Sequence, residues 1–286
     1  MSPPLLALAA ALAYALNNFF SRLGLPESTP SVAVAVIATT NAVFLWGLAL
    51  VFSPIRPIFS VHVWPFVLAG VFAPCLARNF LMIGYQRMGM ARSDVIAGSM
   101  PFFALILAIV LIGERPSTRA ILGTVGIVSG IALLSYKREE GKALVRWSIL
   151  FPLGAALFFS ARDVTSKFGL QLIPFPMAAA AVTATTAALV LNFPYLFPKV
   201  RKRVILPKRS FWLFCAAGVL LAMAYLSGFM ALKGGMVSQV APLVSLFPIF
   251  SVALSFLFLQ SQEKVTWKVG GGGILVVAGA SIIWVS

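Results

Sequence analysis

Residues 90–136 and 236–284 follow one plan. Each opens with an apolar run carrying a proline (Pro101, Pro248), turns at a charged pair (Glu114–Arg115, Glu263–Lys264), and continues into a second apolar run. That second run is lined with glycines: Gly123, Gly126 and Gly130 in the first copy, Gly270–Gly273 and Gly279 in the second. A hairpin of this design met twice marks an internal duplication, which constrains topology more than any single motif does. Shifted by 145, Ser21-Arg22-Leu23-Gly24-Leu25 falls on Ser166-Lys167-Phe168-Gly169-Leu170. Met90–Ser93 then lies near Gly235–Ser238, while the two turn glutamates need an offset of 149, so the later copy carries a small insertion.

The chain is 60% hydrophobic and 10% charged, with a mean hydropathy of +1.00. A soluble domain carries about a quarter charged residues, so hydrocarbon is the main solvent implied. Ten apolar runs are long enough to cross ~30 Å of bilayer as helices: 3–22, 31–52, 63–87, 93–113, 118–136, 147–168, 176–197, 210–232, 236–259 and 267–285. The predicted fold class is an all-α integral membrane protein with ten transmembrane helices. Residues 1–137 and 147–286 form its five-helix repeats, and 138–146 a polar linker. An odd number of spans per repeat forces the two repeats into opposite orientations, as in many secondary transporters.

The first run lacks a basic leader and ends in the polar residues Tyr14, Asn17 and Asn18, so it reads as a span rather than a cleaved signal. Cys75 and Cys215 both fall inside predicted spans, which argues against a disulfide framework. With no soluble domain to display a basic face, the net charge of +15 points to anionic lipid headgroups and not to nucleic acid.

Ten spans, a five-plus-five duplication, and the turn Gly113-Glu114-Arg115 leading into a glycine-rich helix resemble the EamA type of the drug/metabolite transporter superfamily. The second repeat departs from that pattern, with Gln260-Ser261-Gln262-Glu263 in place of the Gly-Glu-Arg turn. The resemblance implies a transporter of small organic molecules such as amino acids, nucleotide sugars, phosphorylated metabolites or drugs.

Loop charge predicts orientation. Fifteen Lys and Arg fall in the breaks after spans 1, 3, 5, 7 and 9, and five (Arg56, Arg115, Arg119, Lys167 and Lys233) on the opposite side. The positive-inside rule then places both termini outside the cytoplasm of a bacterial inner-membrane protein.

Polar residues within spans are costly unless they face the bundle interior. Tyr14, Asn17, Asn18 and Ser21 share one helical face, and Phe159, Arg162, Asp163 and Ser166 repeat that stripe at the 145 offset. Span 3 contributes Cys75, Arg78, Asn79 and Met82. The expected substrate-binding set is Arg78, Asn79, Tyr14, Asn17, Asn18, Arg162 and Ser166, with Arg78 meeting the substrate's anionic group. Arg162 and Asp163 lie about 100° apart on a helix, so they either pair or face separate partners. Asp163 and Asp94 are the candidate proton carriers. Asp94 follows Ser93 at a helix start, where an N-cap is the plainer reading. Pro101 and Pro248 predict helix breaks at the cavity, where freed carbonyls face substrate. Glu114 and Glu263 read as ties between turns and nearby basic residues.

His62 is the one histidine and lies in a loop. No HExxH, GxSxG, Walker or CxxC pattern occurs, so enzyme chemistry is not indicated, and no metal or cofactor is expected. Neither Asp94 nor Asp163 sits in the context of an intramembrane protease. Without a nucleotide motif, transport must draw on a gradient. The expected function is export of an amino-acid-like molecule or organic anion by alternating access. A lipid flippase or scramblase is the alternative, and a non-transporting scaffold a third. The expected partners are a small-molecule substrate, membrane lipids and a second copy in a homodimer, with no nucleic acid.

Overall fold

Apolar runs become helices in the computed structural model, which describes residues 2–54, 56–88, 96–135, 146–201, 204–247, 249–250, 253–254, 275 and 278–283. The helices are α1 (Pro3–Gly24), α2 (Pro30–Phe52), α3 (Trp64–Val71), α4 (Arg78–Met88) and α5 (Met100–Leu107). They continue with α6 (Thr118–Ser135), α7 (Leu150–Leu172), α8 (Pro176–Asn192), α9 (Lys208–Gly234) and α10 (Val237–Val244). No strand occurs among the described residues. Proline opens α1, α2, α3, α5 and α8 within the first two positions, where its missing N–H costs no helical bond.

Six described segments are long and apolar enough to cross a membrane: Pro3–Glu27, Pro30–Phe52, Val61–Leu81, Trp147–Leu172, Pro176–Leu196 and Lys208–Gly234. Large apolar side chains such as Val43, Leu50, Val51, Val110 and Trp212 are exposed on the outside of the bundle, as suits helices solvated by lipid. Inside, alanine dominates: Ala7, Ala10 and Ala11 of α1, Ala178–Ala181 of α8 and Ala217, Ala222 and Ala224 of α9 are all buried. In lipid, helix association rests on close backbone approach, which small residues allow.

Glycine makes the tightest of these approaches. A Cβ on Gly123 of α6 would stand 2.6 Å from the carbonyl oxygen of Gly279, and one on Gly279 would stand 2.6 Å from that of Gly123. The two glycine-lined runs of the duplicated hairpins therefore pack on each other, backbone to backbone.

Several departures from regular helix affect side-chain phase, among them a π-type turn at Ala108–Ile112. Between α3 and α4 the chain widens into a π-type turn, Phe72–Ala77, which holds Pro74. Proline's missing N–H and its ring clash account for the wider turn. The fourth apolar run breaks at Gly98–Ser99, directly before Pro101, and the ninth breaks at Ser245–Leu246. Pro101 is thus not inside a helix, as the sequence predicts, but in the first turn of α5, where it is best tolerated. Within α10 the interior proline is Pro242. Pro248 lies outside the described residues.

Candidate functional site

The polar centre is assembled on α7, whose Arg162 and Asp163 are nearly buried, with side chains 15% and 5% exposed. Arg162 donates to the same carboxylate oxygen of Asp163 from Nε at 2.9 Å and from Nη2 at 2.6 Å. The guanidinium stem is long enough to bridge the ~100° between neighbouring helical positions, so the two residues form one ion pair. The remaining arm, Nη1, donates to the hydroxyl of Tyr14 on α1 at 3.0 Å. Arg162 also lies over the ring of Tyr225 on α9, 5.7 Å from its centroid. Tyr14 stands 6.4 Å from Tyr225 and 6.3 Å from Phe247, ring centre to ring centre. The cation thus sits in a box beside Tyr14 and Tyr225, where the quadrupole of the Tyr225 ring adds to the attraction of the carboxylate.

This cluster borders a cavity of about 20 Å³, with Ser166, Leu232, Val240 and Val244 on its walls. A space of that size admits about one water molecule. Ser166 is buried and its hydroxyl has no hydrogen-bond partner among the described residues. An unmet polar group beside a cavity leaves an opening for water or a polar ligand.

Of the expected site residues, Tyr14, Arg162, Asp163 and Ser166 come together here. Asn17 does not line the cavity. It is buried against α9, where its amide donates to the carbonyl of Ala217 at 2.8 Å. Asn18 is exposed, and Ser21 bonds back to the carbonyl of Asn17. The stripe on the first span therefore divides into one cavity residue and one packing residue. Arg78 and Asn79 are exposed at the start of α4, although Cys75 is buried. A regular helix would keep these three on one face. The π-type turn adds a residue between them and shifts the phase by about 100°. The guanidinium in the cluster is that of Arg162, not Arg78. Asp94 lies outside the described residues, and Pro101 is buried but does not border the cavity.

Four features escaped the sequence reading. Tyr225 supplies a wall of the box. A phenol inside an otherwise alanine-rich span needs a polar partner, and that was its available signal. Pro242 removes an N–H from α10 between Val240 and Val244, the two residues of this helix that border the cavity.

The other two are helix-end ties. Gly113, at φ +71, takes the left-handed conformation that turns the chain at the end of the fourth run. Glu114 then reaches α10, accepting from the backbone N–H of Val237 at 2.7 Å and of Ser238 at 3.2 Å. It also accepts from the Ser238 hydroxyl at 3.0 Å. The electropositive end of a helix is thus added to the expected basic partner, since Lys167 lies close enough to Glu114 to interact with its charge. Lys167 does the converse, donating at 2.7 Å to both Leu232 and Gly235 carbonyls at the C-terminal end of α9. Both ends of the α9–α10 turn are held by side chains from outside that hairpin.

Apolar helices, a lipid-compatible exterior and a buried ionic cluster define a multi-pass membrane protein. Two segments, residues 1–136 and 146–285, each match the family model of the EamA-like transporter family. The chain belongs to that family of transporters. A solved structure described only as "Crystal structure of protein" aligns with 98% of this chain and 95% of its own, at a TM-score of 0.79 and 16% identity. That likeness extends to the fold. Comparison with curated proteins gives no match.

Proposed function

We propose that the protein is a secondary transporter that moves a small organic metabolite by alternating access between two inverted five-helix repeats. The observation that carries this reading is the buried Arg162–Asp163–Tyr14–Tyr225 cluster around a cavity of about 20 Å³. An ion pair and two phenols are a costly investment in a lipid-solvated bundle, and intramembrane ionisable groups mark substrate or ion paths. The cavity is too small for any metabolite, so the helices must part for one to enter.

Arg162 is the group suited to an anionic substrate, because guanidinium grips carboxylate or phosphate bidentately. A substrate anion would take over donors now held by Asp163, freeing that carboxylate to accept a proton. Substrate and proton would then compete for one cation, which is a route to coupling. Both termini outside the cytoplasm is the topology we infer from loop charge, and export is the direction we propose.

The test is counterflow in proteoliposomes loaded with radiolabelled organic anions or amino acids. Saturable exchange that Arg162→Lys weakens is the expected result. Flipping of fluorescent lipid in the same vesicles, without counterflow of any soluble substrate, would favour the flippase reading instead.

A further inference from the structure

A second concavity lies on the outside of the bundle, away from the ionic cluster. It has a volume of about 380 Å³, within the range of small-molecule sites. Val36 and Val43 of α2 form one wall, Asn192 and Tyr195 the second, and Leu206 and Phe211 the third. The wall chemistry is chiefly apolar, and Val43 and Phe211 are exposed into it. Its polar groups are grouped: Asn192 donates to the Thr39 hydroxyl at 2.9 Å and to the Ala188 carbonyl at 2.8 Å. Tyr195 belongs to the same turn at the end of α8.

The two segments that close this groove carry cations just beyond its walls. Lys199 follows Tyr195 by four residues, and Lys208 and Arg209 stand between Leu206 and Phe211. All three side chains are exposed, and Arg209 is shared with Glu27 at 3.4 Å. An apolar trough ending in a phenol, an amide and a set of cations has the order of a phospholipid: acyl chain, glycerol ester, phosphate. A neutral lipid would leave the cations unanswered, and a soluble anion would leave the trough unfilled.

We propose that this groove is a binding site for one anionic phospholipid, with an acyl chain between α2 and the end of α8 and the phosphate at Lys199 and Lys208. The site is structural and does not depend on the transport reading. It lies on the loop that the charge count assigns to the cytoplasmic side, where anionic lipid is concentrated. The bound lipid bridges helices of the first and second halves of the chain.

Native mass spectrometry of the detergent-purified full chain tests this, with phosphatidylglycerol and phosphatidylcholine of identical acyl chains as probes. Preferential retention of one phosphatidylglycerol is expected. Lys199→Gln with Lys208→Gln should lower its affinity about 30-fold at low salt, from a contribution of roughly fivefold per cation, and leave phosphatidylcholine unchanged. Val43→Trp, which fills the trough from an exposed position, should displace both lipids while the protein still melts normally. Equal retention of the two lipids, or phosphatidylglycerol binding that survives both variants, overturns the proposal. So does an equal effect of inorganic phosphate alone, which would leave the trough with no role.

Discussion

Replacing Glu114 by alanine removes the only side-chain acceptor among the described residues for the first two N–H groups of α10. Three hydrogen bonds are lost, at 2.7, 3.2 and 3.0 Å, from a half-buried carboxylate at a helix N-terminus. Loss of an N-cap acceptor costs ~0.5–2 kcal/mol, and loss of a charge favourably placed on the helix dipole a further ~0.3–1 kcal/mol. Together these give about 1–3 kcal/mol. At ~2–4 °C per kcal/mol for a chain of this order of size, the melting midpoint should fall by roughly 2–12 °C. Glu114→Gln retains one oxygen acceptor without the charge and should fall between parent and alanine variant. Cys75 is buried and Cys215 half-buried, so a thiol-reactive dye follows unfolding in detergent without added labels. Equal midpoints for parent and Glu114→Ala would refute the capping role.

Arg162→Lys keeps the charge but loses the planar fork, so substrate affinity should drop by ~1–3 kcal/mol, read by scintillation binding. Arg78→Lys, at an exposed position, should leave binding intact; the reverse pattern would move the site to Arg78. Asp163→Asn should abolish uphill accumulation in proteoliposomes with an imposed proton gradient while sparing substrate exchange. Unchanged uphill transport would assign Asp163 a structural role. A cysteine at Lys199 should resist an impermeant maleimide in intact cells, and ready labelling would reverse the proposed orientation.

The helical class and six of the spans were legible because hydropathy over twenty residues averages out local irregularity. What proved illegible was phase. One π-type turn at Phe72–Ala77 carries Arg78 away from the face of Cys75, and nothing in a periodicity count reveals an added residue. The 145 offset lays the polar stripes of α1 and α7 on each other, and the structure joins the two through the bond from Arg162 to Tyr14, although α1 itself packs on α9. Glu114 was only partly legible, for a different reason. A carboxylate next to Arg115 suggests a charge partner close in sequence, while its neighbours are Lys167 and a helix N-terminus more than a hundred residues away, which carry no local sequence signature.

The cavity and the helix-end ties share one element. Val240 and Val244 border the cavity, and the N-terminus of the same helix is held by Glu114. Under the proposed alternating access, moving α10 away from Glu114 to enlarge the cavity breaks the Glu114 bonds, and the Lys167 bonds tie the preceding turn to α7. The strength of this restraint suits a gate. A tie of about 1–3 kcal/mol shifts a two-state equilibrium by roughly 5–150-fold, enough to favour closure without forbidding opening. Ser238→Ala removes one bond of the three, worth ~1 kcal/mol, and should raise the open population about fivefold. A cysteine at Val244 then reports the change, since its alkylation rate by a small thiol reagent follows the fraction of open protein. The rate should rise about fivefold in the Ser238→Ala background. An unchanged rate would show that the Glu114 tie holds a fixed corner of the scaffold and that the cavity opens elsewhere.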